Sequence, residues 1–549
     1  MKKCYNRKAI ALLLAFALLI GLCACSSQPA PPAGSPDSST VSSGDEAPGD
    51  QAAEGPFGLD PNHRVTLSCF FDFTWYPISE WKGIIADEIT RLTGVDMELT
   101  IAVDGQQLGM MIASGDLPDL VSSDHMFSNL STSELCYDWQ GLIDEYGLDW
   151  EISQQSIANS LSFTQEEEKF FTVLSHFATA EDWKELDKIG VGAPMCSSML
   201  YRRDLYEAMG SPKFETLEDI HALLLKAKED YPDMRPLIFD PVTWKLTYFR
   251  QAYGLGNGSN YFVEQENGDW LTVVKDPRYK EYLAYCNQLY RDGLIYADNF
   301  GMEGAAAEAE VEGGGAFAYI IGTQNAITPR NSGLKQNVPD GVLWEAPVVG
   351  DTNVYDASIG WMGTFISKSG KDPETAIRYM QFVHSEEGAR LTQWGREGYE
   401  YTLDENGAPQ FSEEWNKAVN DGQLDEIYNT ALYQGGTKIN EAVARCAPID
   451  PEMTPNYPTL RQHFGNKPWV KYAEPVEGSD EKIILDQLFD GQSGAIPTGE
   501  VKVILSDTEE AFERNFQELL STCESVGMDE LEAFMDPRIK DAMKVYGVA

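Results

Sequence analysis

The chain has 549 residues, of which 43% are hydrophobic and 11% aromatic, and carries 41 Lys+Arg against 87 Asp+Glu, a net charge of −46. That length is too great for one ordinary core and fits three or so units or, equally well, two large lobes, while the apolar content excludes a disordered bulk. So acidic a chain repels phosphate backbones and has no basic patch for a membrane surface, so no nucleic-acid partner is expected and self-repulsion favours a soluble monomer.

Lys2, Lys3, Arg7 and Lys8 precede a fourteen-residue apolar run, Ala9 to Leu22. The run is shorter than the ~20 residues of a spanning helix, and its order (positive, apolar, small) is that of a secretory signal. It ends in Leu22-Cys23-Ala24-Cys25, which resembles the bacterial lipobox. Ala24 directly before it makes Cys25 the residue to be acylated, whereas Leu22 fits Cys23 badly. The expectation is a signal peptide over 1–24 and a lipid on Cys25, with more than one buried chain as stable anchoring requires. Residues 26–56 carry no aromatic, Lys or Arg and cannot bury a core. With Cys25 they read as a lipid anchor and flexible tether, 25–56, spanning about 30 Å. Cys69, Cys136, Cys196, Cys286, Cys446 and Cys523 follow at long, irregular spacings with no CxxC pair. Zinc is not expected, and the sequence leaves open whether these are disulfides or buried thiols.

The body opens with a strand-like run, RVTLSCFFDFTWY from Arg64. Trp81, Ile84, Ile85, Ile89 and Leu92 then recur at helical spacing, and Gly94 ends that helix. Val95 to Ile101 alternates as a strand, Gln106 to Ile112 is helical again, and a third strand is predicted over Asp119 to Ser122. Strand, helix, strand, helix, strand is a βαβ pattern with a parallel sheet. Further on, Thr216-Leu217-Glu218-Asp219 predicts a capping box and Asp276-Pro277 a capped helix start. Gly315 to Ile321 predicts a buried strand, Val342 to Val349 an extended segment, Phe365 to Ser367 a strand, and Asp372-Pro373-Glu374 a helix start. The class is α/β.

ASGDLPDL after the first βαβ unit is followed in order by SSMLYRRDLYEAMG, ETLEDI, RPLIF, DGLIYADNF, GGGAFAYIIG and GWMGTFISKSGKDPETAIRYMQFVHSEEGARLTQWGREGYEYTLDENG. Behind a lipobox, this series resembles the extracellular solute-binding proteins of ATP-driven sugar importers, in their Gram-positive lipoprotein branch. The same order occurs in maltodextrin-binding proteins. The likeness covers roughly 64–410, with a weaker helical tail.

The resemblance implies a two-lobed α/β fold of the type II periplasmic-binding-protein kind, with the ligand in a cleft between lobes joined by hinge crossings. The first lobe is expected over 57–193 plus 347–420 and the second over 194–346 plus 421–549, with crossings near Ala193-Pro194 and Ala346-Pro347. It implies no cofactor, no catalytic residue, and as partners a saccharide, permease subunits and a separate ATPase. The place implied is the outer face of a Gram-positive cell membrane.

A sugar presents C–H faces to aromatic rings and hydroxyls to carboxylates and Arg. Trp75 and Tyr76 follow the first strand, at the end where ligands sit on parallel sheets. Asp124 and His125 follow the third strand likewise, although Asp124 could equally cap a turn. Trp244 follows a second-lobe strand, and Trp361 lies between Gly360 and Gly363 just before a strand returning to the first lobe. Arg396, in WGREGYEY, resembles a segment bordering the cleft, and a structural Arg–Glu pair reads the same way. A secreted carbohydrate-active enzyme remains an alternative, since its two carboxylates are easily found among 87 acids. GxSxG, HExxH and P-loop signatures are absent from the sequence. A binder of a peptide or another small polar solute is the other alternative.

Overall fold

The computed structural model describes residues 55–548 except 75, 165, 167, 180, 181, 183, 185–195, 242–244, 257–260, 323–326, 357–358, 436–456, 477 and 492. The signal peptide, Cys25, nearly all of the tether, Trp75, Trp244 and the Ala193-Pro194 crossing lie outside the described residues.

Fifteen strands are described. The first four are β1 (Val65–Phe71), β2 (Val95–Ile101), β3 (Leu120–Ser123) and β4 (Leu174–Ser175). Then come β5 (Ser197–Arg202), β6 (Arg235–Phe239), β7 (Phe262–Glu264), β8 (Trp270–Thr272), β9 (Ala316–Gly322) and β10 (Leu343–Glu345). The last are β11 (Val354–Asp356), β12 (Met362–Ile366), β13 (Tyr401–Leu403), β14 (Pro409–Phe411) and β15 (Phe464–Asn466). Two sheets organise the body, one in the order β2-β1-β3-β12-β4 and one in the order β10-β5-β9-β6.

The opening βαβ unit forms as its pattern predicts. β1 pairs in parallel with β2, from Val65 opposite Val95 to Phe71 opposite Ile101, and with β3, Cys69 opposite Leu120. The intervening helix Ile84–Thr93 buries Ile85 and Ile89 at helical spacing. Gly94 closes it in the left-handed region at φ 74°, with its N–H returned to the Thr90 carbonyl. β3 starts one residue later than predicted. β12 starts earlier, at Met362, because its first residues pair with both neighbours: Gly363 lies opposite Ser123 of β3 and Leu174 of β4, antiparallel to each. The Thr216–Asp219 capping box is present, and Asp276 and Asp372 both cap their helices.

Each sheet carries its own core. Leu67, Phe71, Ile85, Met362, Ile377 and Trp415 are buried together around the first, in a cluster that runs on to Tyr428 and Tyr433. Around the second, Leu237, Phe249, Leu283 and Phe317 pack with Leu488, Phe516, Leu531 and Met535. The C-terminal helices, Glu509–Val526 and Met528–Val545, are therefore part of the second core. Polar ties fix them there. Asn287 donates to the carbonyls of Ile504 (2.8 Å) and Ser506 (2.7 Å). Buried Glu532 accepts from the Thr272 N–H at 2.9 Å, and Asp536 from the Trp270 N–H at 2.8 Å. Cys69, Cys136, Cys196, Cys286 and Cys523 are buried thiols and not disulfides. Burial pushes Cys69 and Cys136 up to about 12, which makes them inert.

Two chain passages link the sheets: β4 to β5, and β10 to β12. The second ends at Gly360, whose φ is 104° and where a Cβ would stand 2.6 Å from the Leu174 Cβ and 2.7 Å from the Ser175 carbonyl oxygen. Only glycine meets both demands. Gly360→Ala is expected to lower stability by about 1–3 kcal/mol in urea unfolding. Trp270→Ala, which empties a fully buried site between the β7–β8 hairpin and the last helix, is expected to cost about 3–5 kcal/mol. A loss below about 1 kcal/mol would mean that the C-terminal helices are not integral to that core.

Candidate functional site

The topology brings four strand ends to one edge of the first sheet. β1 and β3 run parallel and finish there, at Phe71 and Ser123. β12 runs the other way and starts there, and β4 finishes beside it, with Met362 opposite Ser175. The residues just beyond these ends are Asp72 and Phe73, Asp124 and His125, Trp361, and His176. In open α/β sheets this edge, beyond the carboxyl ends of parallel strands, is where ligands sit.

Rings make up one half of the edge. Trp361 is partly buried, with its ring centroid 5.4 Å from Phe73, 5.6 Å from His176 and 5.7 Å from Tyr433. Those three are almost wholly buried, so Trp361 is the outermost ring of the group. Its backbone N–H reaches the Ser175 carbonyl at 3.4 Å. Tyr76 lies deeper: its ring stacks on Phe71 at 4.2 Å, and its hydroxyl donates to the Ala431 carbonyl. The structure thus packs Tyr76 into the core beneath Tyr433, 6.3 Å away.

Polar groups make up the other half. The Asp72 side chain is buried, and its Oδ2 lies 3.2 Å from His125 Nε2 and accepts from Ser123 Oγ at 3.1 Å. His125 Nδ1 lies 2.9 Å from Asp124 Oδ1. One imidazole therefore bridges two carboxylates, and Asp124 and His125 remain about half exposed. Burial raises the Asp72 carboxyl above its ordinary range, opposed by His125 and Ser123. Its Oδ1 is buried without a partner. Beneath the edge, a hydrogen-bonded chain holds the strands in register: Tyr379 donates to Gln434 (2.9 Å), Gln434 to Ser122 Oγ (3.2 Å), and Ser122 and Thr364 share a bond of 2.9 Å. Such an arrangement offers an aromatic platform beside fixed hydrogen-bonding groups. Among the described residues no group of three or more His, Cys, Asp or Glu is arranged to hold a metal.

On the second sheet the matching edge is formed by the end of β6, the start of β5 and the end of β10, since β6 is parallel and β5 antiparallel to β9. Asp240 follows β6, with its N–H on the Ile320 carbonyl at 2.9 Å.

Arg396 lies elsewhere. Its guanidinium forms a bidentate pair with Glu400, at 3.0 and 2.8 Å, and rests 4.7 Å from the centre of the exposed Tyr399 ring. It borders a surface groove of about 530 Å³ together with Arg91 and Leu92. Those two end the helix that leads into β2, so the groove is at the edge where β2 begins, opposite to where β1 and β3 finish. Arg396 is thus not brought to Asp124 and Trp361. Asp72, Phe73, His176 and Tyr433 are the residues that sequence reasoning missed. The end of the β1 run was a usable signal for Asp72 and Phe73. Nothing local marks Tyr433, which reaches Trp361 only through the fold.

A family model described as bacterial extracellular solute-binding protein matches residues 85–399. No curated protein matches the chain in sequence. Among solved structures it is similar to an alginate-binding protein, AlgQ2, at 16% identity and a TM-score of 0.60, with 87% of this chain and 98% of that one covered. It is similar to the FusA substrate-binding protein of an S. pneumoniae ABC transporter, solved with kestose, at 14% identity and a TM-score of 0.63, covering 87% and 100%. An HMO-binding, ABC-transporter-associated solute-binding protein from Bifidobacterium longum infantis matches at 15% identity and a TM-score of 0.60, covering 88% and 99%. These likenesses establish a two-lobed α/β fold. With more than half of its length matched by the family model, and with that fold, the chain belongs to the bacterial extracellular solute-binding protein family.

Proposed function

We propose that this protein is a lipid-anchored extracellular receptor that binds an oligosaccharide between its lobes and delivers it to the permease of an ATP-binding cassette importer. The observation that carries the reading is the edge of the first sheet, where Trp361 caps a group of rings beside the Asp72–His125–Asp124 array. A sugar stacks its C–H face on such a ring and hydrogen-bonds its hydroxyls to such carboxylates. The saccharide ligands of the FusA and Bifidobacterium proteins support the choice of ligand class. The lobes are 57–193 with 347–420 and 194–346 with 421–549, the first also holding the segment around Tyr428–Tyr433, and they close about the crossings. Trp75 and Trp244 are the further rings proposed to contact the sugar, and Tyr76 supports Tyr433 from within the core. The protein binds without turnover, as a monomer, held at the membrane through Cys25.

Calorimetry against neutral oligosaccharides tests this directly. Stoichiometric binding with no change in the sugar is expected, and release of shorter products would favour an enzyme instead. Trp361→Ala is expected to weaken binding at least tenfold, as are Trp75→Ala and Trp244→Ala. Wild-type affinity in all three variants would overturn the site. Cys25→Ser is expected to move the protein from the membrane fraction into the medium, as seen by fractionating the producing cells.

A further inference from the structure

Chain segments that travel between the two cores converge on one buried acid. Glu345 is the last residue of β10, where the β10-to-β12 passage begins. It faces Ser197 and Ser198, the first residues of β5, where the β4-to-β5 passage ends. Leu460 belongs to the stretch between Tyr433 in the first core and Trp469 in the second, and it packs with Cys196, Val348 and Val354 of the other two passages. Two passages even pair as strands, β11 with β15, Val354 opposite Phe464.

The joint is polar inside. Gln251 clamps Ser197 from both sides, accepting from its N–H at 2.8 Å and donating to its carbonyl at 3.0 Å. The Tyr248 hydroxyl donates to the Pro347 carbonyl. Asp351 and Asn353 return their N–H groups to the carbonyls of Ala252 (2.9 Å) and Gln251 (3.2 Å). Glu345 is 4% exposed, and its Oε1 accepts from Ser198 Oγ at 2.7 Å. Its Oε2 is buried with no partner, and so is Ser197 Oγ. Both residues line a cavity of about 10 Å³, room for a single water molecule.

Among the described residues no lysine, arginine or second carboxylate lines this cavity. Among the described residues lining it, the other titratable group is the Tyr248 phenol, pushed up by burial, and the buried Cys196 thiol packs nearby against Leu460 and Val354. Arg250, on the helix that carries Tyr248 and Gln251, acts on the Glu500 carboxyl, which desolvation raises and Arg250 lowers. Among the described residues that line the cavity no cation balances an ionised Glu345, and a bare carboxylate there is costly.

We propose that Glu345 is a proton latch at the hinge: protonated, it shares one water with Ser197 Oγ and keeps the passages packed, and on losing its proton it draws in more water and parts them. The inference rests on the reading that the lobes move about these passages. Burial pushes the Glu345 carboxyl up to about 8, with only the Ser198 hydrogen bond opposing it. The sign follows from linkage. An acid that titrates near 8 in the packed joint and near its ordinary value when the joint is open loosens the joint as pH rises through that interval. The opening constant rises up to tenfold per pH unit and levels off above about pH 8. A receptor built this way holds its ligand more firmly in acid than in alkali.

Hydrogen–deuterium exchange of the full chain, compared with Glu345→Gln at each pH so that intrinsic rates cancel, tests the latch without any sugar. For the amides of 196–198 and 346–354, the ratio of wild-type to variant exchange is expected near one at pH 4 and at least tenfold higher at pH 8. Amides of β1–β3 are expected to show a ratio near one throughout. Ser198→Ala, which removes the bond that favours the carboxylate, is expected to move the step to higher pH, and it serves if the glutamine variant fails to fold. A flat ratio at the joint, or a rise shared equally by β1–β3, would overturn the latch. Either result leaves the saccharide reading to its own calorimetric test, and failure of that test leaves this one intact.

Discussion

The pairing of β12 with β3 is the constraint on which the rest of the structure depends. Nearly 240 residues separate Ser123 from Met362, and they build all four described strands of the second sheet before the chain returns. When it does, four antiparallel pairs, Gly363 opposite Ser123 through Ile366 opposite Leu120, lock it into the middle of the first sheet. β4 then closes the far side, and Gly360 permits the approach because no side chain stands between it and Leu174. This one insertion gives the first sheet a mixed character. It also carries Trp361 to the edge where β1 and β3 present Asp72 and Asp124. A parallel sheet alone would have the acids without the ring.

The edge and the joint treat buried polarity differently. At the edge, Asp72 shares its charge with His125 and Ser123, and His125 reaches out to Asp124, which is half exposed. The array stays in contact with water and is fit to exchange hydrogen bonds with an incoming hydroxyl. At the joint, Glu345 has one hydroxyl for a partner and no cation among the described residues lining its cavity. Low dielectric raises the cost of an unbalanced charge there. The first arrangement suits recognition. The second suits a group whose protonation reports on whether the surrounding chain is packed.

Much of the fold was legible because it was local. The period of Ile85, Ile89 and Leu92, the stop at Gly94 and the Thr216–Asp219 capping box are matters of neighbouring residues. Elements that depend on distant partners were less legible. β12 was read as Phe365 to Ser367, yet pairing with two neighbours extends it back to Met362. Of the sheet edge, the positions of Asp124 and Trp361 beyond strand ends followed from strand order alone. Arg396 could not, because a bidentate Arg–Glu pair and a ligand-facing Arg share one sequence pattern. Tyr76 sits just beyond the end of β1 yet turns inward to Phe71 and Ala431.

By itself the sequence determined the α/β class, the order of strands and helices, the caps, and the family, since each follows from patterns a few residues long or from their succession along the chain. Tertiary structure alone decided that Tyr433 and His176 stand behind Trp361, that Asp72 is bridged to Asp124 through His125, and that Glu345 is enclosed where the passages meet. The physical reason is the same for all three. Burial and hydrogen bonding are set by residues that come together from separate parts of the chain, and the local pattern around any one of them is silent about the others.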